Sequence, residues 1–186
     1  MRIISGDLKG KKIFLPTDKN TRPLRDLVKE SIFNLLNHSN KIDFKIENST
    51  VLDLFSGSGS FGIECISRGA KKIFFIENYF EALKILNKNI LNLNISDKCN
   101  VLEEDCFKIL SYKKYFTIKF DIIFIDPPYK ESKINLFVEA IKDKKILSKN
   151  GIIIIHRHKN DDIIITNSLN ILDIRKYGIS KIIIGN

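Results

Sequence analysis

A chain of 186 residues that is 44% hydrophobic fits one soluble globular domain, with room for a small appendage. Its longest apolar runs, such as 151–155, are too short to cross a bilayer, and no leader pattern is visible. Three cysteines without ligand spacing (Cys65, Cys99, Cys106) point to reduced thiols, a cytoplasmic setting and no metal. The net charge of +9 favours a polyanionic partner, although the wealth of Ile, Lys and Asn would raise the charge by compositional bias alone.

Residues 1–16 alternate around Gly6 and Gly10, which predicts a hairpin or a pair of short strands. A polar connector, 17–23, ends in Pro23, well suited to a first helical turn. Leu24, Leu27, Val28, Ile32, Leu35 and Leu36 then recur at helical spacing, with Arg25 and Lys29 expected on the opposite face. Basic side chains crowd this segment, among them Lys11, Lys12, Arg22 and Arg25, and acidic ones offset them only in part. A polar stretch at 38–49 gives the expected division, a 1–45 extension and a 46–186 main domain.

Strand and helix alternate thereafter. Strands are expected at 50–55, 72–77, 100–104, 121–126 and 151–156, and helices around 61–68, 79–93, 106–115 and 133–147. Closing strands are expected at 162–166, 170–177 and 181–184, with Gly178 turning between the last two. Repeated βα units of this kind imply an α/β fold, a mostly parallel sheet with helices on both faces.

The first strand runs through Asp53-Leu54-Phe55-Ser56-Gly57-Ser58-Gly59-Ser60-Phe61-Gly62 into a helix. Its glycines satisfy G-x-G-x-x-G, and Glu77 ends the next strand where a ribose-binding acid belongs. That pattern alone leaves a dinucleotide-dependent oxidoreductase open. Asp53 inside the strand, Asp105 at the third strand end and Asp126 at the fourth favour S-adenosylmethionine, since together they define one crevice. Each acid taken singly could be a helix N-cap, Asp105 in particular.

Asp126-Pro127-Pro128-Tyr129 follows the apolar run 120–125. Two prolines fix φ and carry no N–H, so their carbonyls can be offered to a ligand in one geometry. Asp126 can accept a hydrogen bond from an amine, and Tyr129 offers a face on which a base can stack. Those parts suit an exocyclic NH2 of a flipped base presented to a methyl donor. A plain strand-ending turn is the bland alternative.

With these motifs the chain resembles the class I S-adenosylmethionine-dependent methyltransferases that methylate amines. More narrowly, it is similar to the RsmD-type 16S rRNA guanine-N2 methyltransferases. The narrower resemblance rests on Met1-Arg2-Ile3-Ile4-Ser5-Gly6, Lys9-Gly10-Lys11-Lys12, Thr21-Arg22-Pro23, 26–30 and Phe33-Asn34, together with 53–59 and Ile76-Glu77, and covers essentially the whole chain. The resemblance implies a Rossmann-like seven-stranded sheet with an N-terminal hairpin-plus-helix extension. It also implies methyl transfer to guanine 966 of 16S rRNA in an assembled or assembling small subunit; a monomer is the default state. By the same resemblance, Phe55, Ser56, Gly57, Ser58 and Gly59 would line the cofactor. Glu77 with Asn78 would hold the ribose, Asp105 and the Cys106 amide the adenine, and Asp53 the methionine end. Arg22, Arg25, Lys11 and Lys12 would face RNA. His156-Arg157-His158 and the tail 175–181 depart from the family pattern and leave that edge without an assigned role. A DNA or other RNA amino-methyltransferase acting on adenine N6 or cytosine N4, a non-catalytic RNA-binding module, and the oxidoreductase stay as alternatives.

Overall fold

The structure, a computed structural model, describes residues 1–18, 21, 23–109, 118–161 and 169–186. The strands are β1 (Thr50–Leu54), β2 (Lys72–Glu77), β3 (Cys99–Glu103), β4 (Phe120–Ile125), β5 (Leu147–His158), β6 (Ile171–Tyr177) and β7 (Ser180–Gly185). They form one seven-stranded sheet in the order β3-β2-β1-β4-β5-β7-β6. Strand β7 alone runs against its neighbours, pairing antiparallel with both β5 and β6. The expected strand at 162–166, the part of the fourth helix beyond Ile109, and Arg22 lie outside the described residues.

Parallel strands covered on both faces read as nearly continuous apolar runs, and β4 shows why. It is buried along its length except at Asp121, whose carboxylate accepts the Thr50 N–H at 2.8 Å. One face is covered by α1 (Asp26–His38), α2 (Ser60–Ser67) and α3 (Phe80–Asn92). The other carries α4 (Cys106–Ile109 in its described part) and α5 (Ile134–Asp143). A stack of Phe33, Phe61 and Phe124, with centroids 5.3 and 4.0 Å apart, joins α1 through α2 to β4.

The N-terminal segment forms the expected hairpin in a short form. Arg2 and Lys12 make an antiparallel bridge, flanked by Ile3 N–H to the Lys11 carbonyl at 3.0 Å and Ile13 N–H to the Met1 carbonyl at 3.0 Å, and Gly10 N–H returns to the Ile3 carbonyl at 2.9 Å. Its turn then docks on α2: Ile4 and Ser5 N–H donate to Glu64 at 2.8 and 3.0 Å, and Asp7 N–H to the Ser67 carbonyl at 2.8 Å. Gly6 has φ +80°, and a Cβ there would lie 1.7 Å from the Ser67 carbonyl oxygen, so only glycine permits the contact.

Helix α1 also corrects the expected face. Leu27 is 66% exposed, whereas Lys29 is fully buried, its Nζ 3.4 Å from Glu64 Oε2 and donating to the Arg2 carbonyl at 3.0 Å. Ile3, Ile13, Val28, Ile32 and Phe33 share one apolar cluster with Ile63, Phe75 and Phe124 of the main sheet layer.

Candidate active site

The chain lays down β1, β2 and β3 outward on one side, then returns to place β4 and β5 on the other. The strand order thus reverses between β1 and β4, and a crevice opens beyond the carboxyl ends of strands at such a point. Asp53 lies just before the end of β1 and is 1% exposed. One carboxylate oxygen accepts the Gly62 N–H at 3.0 Å. Burial drives the Asp53 pKa well above the ordinary carboxylate range, against the pull of that bond and with help from the negative charge of Asp126 and Glu77.

The chain leaves β1 through Phe55, a non-glycine residue at φ +58° whose ring packs edge-on against Phe137 at 5.4 Å and Phe107 at 6.1 Å. The Ser56 hydroxyl donates to the Asp53 carbonyl at 2.6 Å and pins the loop to its strand. Two of the loop glycines divide the work. Gly57, at φ +55°, has open space where a Cβ would point, so a ligand can reach its backbone. At Gly59 a Cβ would meet Leu86 of α3 at 2.4 Å, so this glycine serves close helix packing.

Glu77 ends β2 and gathers three amides: Gly57 N–H at 2.8 Å, Asn78 N–H at 3.0 Å and Tyr79 N–H at 2.9 Å. An ionised carboxylate offers about four acceptor positions, so these bonds hold Glu77 in place without exhausting it. Asp105 caps α4, accepting from Phe107 N–H at 2.7 Å and Lys108 N–H at 3.2 Å. The Cys106 thiol is buried, accepts the Phe55 N–H at 3.3 Å and sits 3.8 Å from the Ile76 carbonyl, tying the ends of β1 and β2 together.

Asp126 follows β4, its N–H 3.4 Å from the Leu54 carbonyl at the end of β1. Beside it stands the group that the sequence left without a role. β4 and β5 are parallel neighbours with Ile125 opposite Ile155, which brings residue 156 beside residue 126. His156 Nδ1 lies 2.8 Å from Asp126 Oδ1 and His156 Nε2 lies 2.9 Å from Ser180 Oγ. The Arg157 guanidinium donates to the carbonyls of Pro128 (3.1 Å), Tyr129 (3.0 Å) and Glu131 (2.7 Å), with Asp161 balancing its charge at 2.5 Å. The His158 ring meets Tyr129 edge-on at 5.1 Å. The adjacency of consecutive β-α-β strands is the sequence signal that would have found this cluster.

Pro16, Thr21, Pro23 and Leu24 from the N-terminal segment line the same crevice as Asp53, Ser56, Gly57 and Asp126. The Thr21 hydroxyl oxygen is buried there with no hydrogen-bond partner among the described residues. An unsatisfied hydroxyl, an approachable glycine and two acids suit a polar, amine-bearing cofactor. Lys11, Lys12 and Arg25 are exposed and do not line the crevice, and neither does Asn78, exposed just after β2. Among the described residues no three His, Cys, Asp or Glu side chains gather as a metal-binding group, and no helix is long and apolar enough to cross a membrane.

The raised Asp53 pKa has a direct consequence for stability. The native state holds this proton to higher pH than the unfolded chain does, so stability falls as pH rises from about 4, the ordinary value, toward the raised one. Asp53→Asn keeps an acceptor for the Gly62 N–H and removes that loss. Its Tm should exceed the wild type's at neutral pH, each kcal/mol recovered being worth ~2–4 °C in a chain of this size. Thermal melts from pH 4 to 8 test this; parallel curves for the two proteins would contradict it.

Comparisons with known proteins identify the family. The family model described as Conserved hypothetical protein 95 matches residues 1–186. Ribosomal RNA small subunit methyltransferase D of Buchnera aphidicola subsp. Acyrthosiphon pisum is 37% identical over 163 residues, 88% of this chain and 81% of that protein. The Haemophilus influenzae protein of the same name is 30% identical over 180 residues, 96% of this chain and 90% of that one. Among solved structures, Escherichia coli yhhF superposes with a TM-score of 0.82 at 24% identity, over 100% of this chain and 96% of its own. The seven-stranded sheet is thus the Rossmann-like class I methyltransferase fold, and the methyltransferase relatives set the oxidoreductase reading aside. The chain belongs to the RsmD-type methyltransferase family.

Proposed function

We propose that this methyltransferase moves a methyl group from S-adenosylmethionine to the exocyclic N2 amine of guanine 966 in 16S rRNA, acting as a monomer on small-subunit particles in the cytoplasm. The observation that carries the reading is Asp126, set at the β1/β4 switch point in one crevice with Asp53 and Gly57. The names of the relatives supply the rRNA substrate class.

When bound, S-adenosylmethionine supplies an electrophilic methyl group. The residues of the chain do the rest. Glu77 keeps acceptor capacity for the ribose hydroxyls, and Asp105 with the Cys106 amide flanks the adenine. Phe55, Ser56, Gly57, Ser58, Gly59 and Asn78 form the wall between them. Asp53 and the Thr21 hydroxyl face the methionine end. Drawing the proton from Asp53 as an ammonium group approaches would turn a buried acid into an ion-pair partner.

Asp126 and the Pro127 carbonyl, which Arg157 leaves aside, would accept the two N–H bonds of the guanine amine and aim its lone pair at the methyl carbon. Tyr129 would stack on the base, with Pro128 stiffening the loop between them. The amine becomes acidic only as its new bond forms, so Asp126 acts first by orientation and charge, and proton uptake follows. Orientation alone can lower a barrier by roughly 7–11 kcal/mol. Lys11, Lys12, Arg22 and Arg25 of the 1–45 extension would hold phosphates, which position RNA without reading its sequence.

Methyl-labelled S-adenosylmethionine offered with unmodified small subunits, bare rRNA and DNA in parallel tests the reading. Label should appear as N2-methylguanosine in the subunits. Label in DNA would preserve the crevice chemistry and overturn the RNA assignment, and no label anywhere would overturn both.

A further inference from the structure

His156, Ser180 and Arg157 have no place in the chemistry so far, yet His156, Arg157 and Ser180 are each 3% exposed, and two of the three bond the loop that would orient the amine. Bonded in the order Ser180, His156, Asp126, they match the connectivity of a hydrolase triad, but they face the opposite way. The serine is buried on β7, and the carboxylate is the end that lines the crevice. A buried hydroxyl at the far end of such a chain has no substrate to attack. What it can do is fix a tautomer. With the Ser180 hydroxyl donating to Nε2, the ring proton would sit on Nδ1, where Asp126 Oδ1 would accept it. In a neutral imidazole the bond made by one nitrogen sets the state of the other.

We infer that His156 is a positioning residue for methyl transfer: held by Ser180, it orients the Asp126 carboxylate against the substrate amine. This role rests on the amine-orienting function proposed for Asp126. Arg157 completes it by fixing the carbonyls of Pro128, Tyr129 and Glu131, so the backbone beyond Asp126 cannot turn away. A lone carboxylate at a strand end would sample several rotamers. One held from behind keeps its orientation before the base arrives, and preorganisation of that kind acts on the rate more than on affinity.

The test combines single-turnover methyl transfer, cofactor titration and nitrogen NMR of the histidine ring. His156→Leu should slow transfer about 10–100-fold, the scale of a hydrogen bond to a charged group, with cofactor affinity unchanged within about twofold. His156→Asn places an amide donor near the position of Nδ1 and should recover the rate to within about fivefold. In the wild type the ring should carry its proton on Nδ1, and Ser180→Ala should perturb the Nε2 resonance. Wild-type rates in a folded His156→Leu protein, equal losses of rate and cofactor affinity in both His156 variants, or a bare Nδ1 would each overturn the role. If the wild type methylates none of the substrates, the function proposed above fails and the positioning role falls with it; an active wild type beside an unimpaired His156→Leu protein overturns the positioning role alone.

Discussion

Asp126→Ala should lower the single-turnover rate of methyl transfer by about 10²–10³-fold, the usual cost of removing one preorganised polar group that acts on the reacting centre. Cofactor affinity should change by less than about threefold, because Asp126 sits at the β4 end while Glu77 and Gly57 sit at the β2 and β1 ends. Alanine also strips His156 of a partner at 2.8 Å, so some loss of stability will accompany the loss of rate. Asp126→Asn separates the two effects. Its amide oxygen can accept either from His156 or from the substrate amine, and its NH2 group faces the other with a donor where an acceptor is needed. A loss of about tenfold with near-normal stability is expected, intermediate between the wild type and alanine. Rapid-quench assays with labelled cofactor, beside calorimetric titration of the cofactor, make the comparison. An alanine variant within about threefold of the wild-type rate would remove Asp126 from the chemistry.

Much of the frame that carries this chemistry is legible in the residues themselves. β1, β2 and β4 are apolar runs between loops, and the glycines that follow β1 mark the turn into α2 at the expected place. Periodicity failed where a partner overruled residue type. Lys29 reads as a solvated basic position because lysine is almost never fully buried without a counter-charge. Its counter-charge is Glu64, on the next helix, and no window around Lys29 contains it. Leu27 reads as core by the same spacing, yet it is exposed because α1 turns its Lys29 side toward α2. Alternation does give the N-terminal hairpin, in which residues 1–3 pair with 10–13. Local pattern cannot report its docking, since two of its amides bond Glu64 and another bonds the end of α2. Likewise Gly57 and Gly59 look equivalent in sequence, and only the position of Leu86 distinguishes the approachable one from the packed one.

Removing Glu64 should be the most damaging single change to the fold. Its side chain is fully buried and accepts from Ile4 N–H at 2.8 Å, Ser5 N–H at 3.0 Å and Arg68 Nε at 2.9 Å, beside the Lys29 ammonium at 3.4 Å. Glu64→Ala leaves the buried Lys29 cation without its nearest carboxylate and two backbone donors without their acceptors. Breaking a buried pair from one side costs ~3–5 kcal/mol, and at ~2–4 °C per kcal/mol the Tm should fall by roughly 6–20 °C. The pH dependence identifies the cause. Burial already lowers the Lys29 pKa below 10.5, against the pull of Glu64 and Asp26. The unfolded chain therefore binds more protons than the native one between the lowered and the ordinary value, and stability rises with pH across that window. Without Glu64 the pKa falls further, so part of the deficit should return as the pH is raised and the ammonium is neutralised. Lys29→Met in the Glu64→Ala background removes the orphaned charge. The double variant should melt above Glu64→Ala alone and lose the alkaline recovery. A double variant that melts no higher would show that the two orphaned amides, and not the cation, dominate the cost. Because the segment that docks on Glu64 continues to Pro16, Thr21 and Pro23 over the crevice, cofactor affinity should weaken in Glu64→Ala and recover with the double variant.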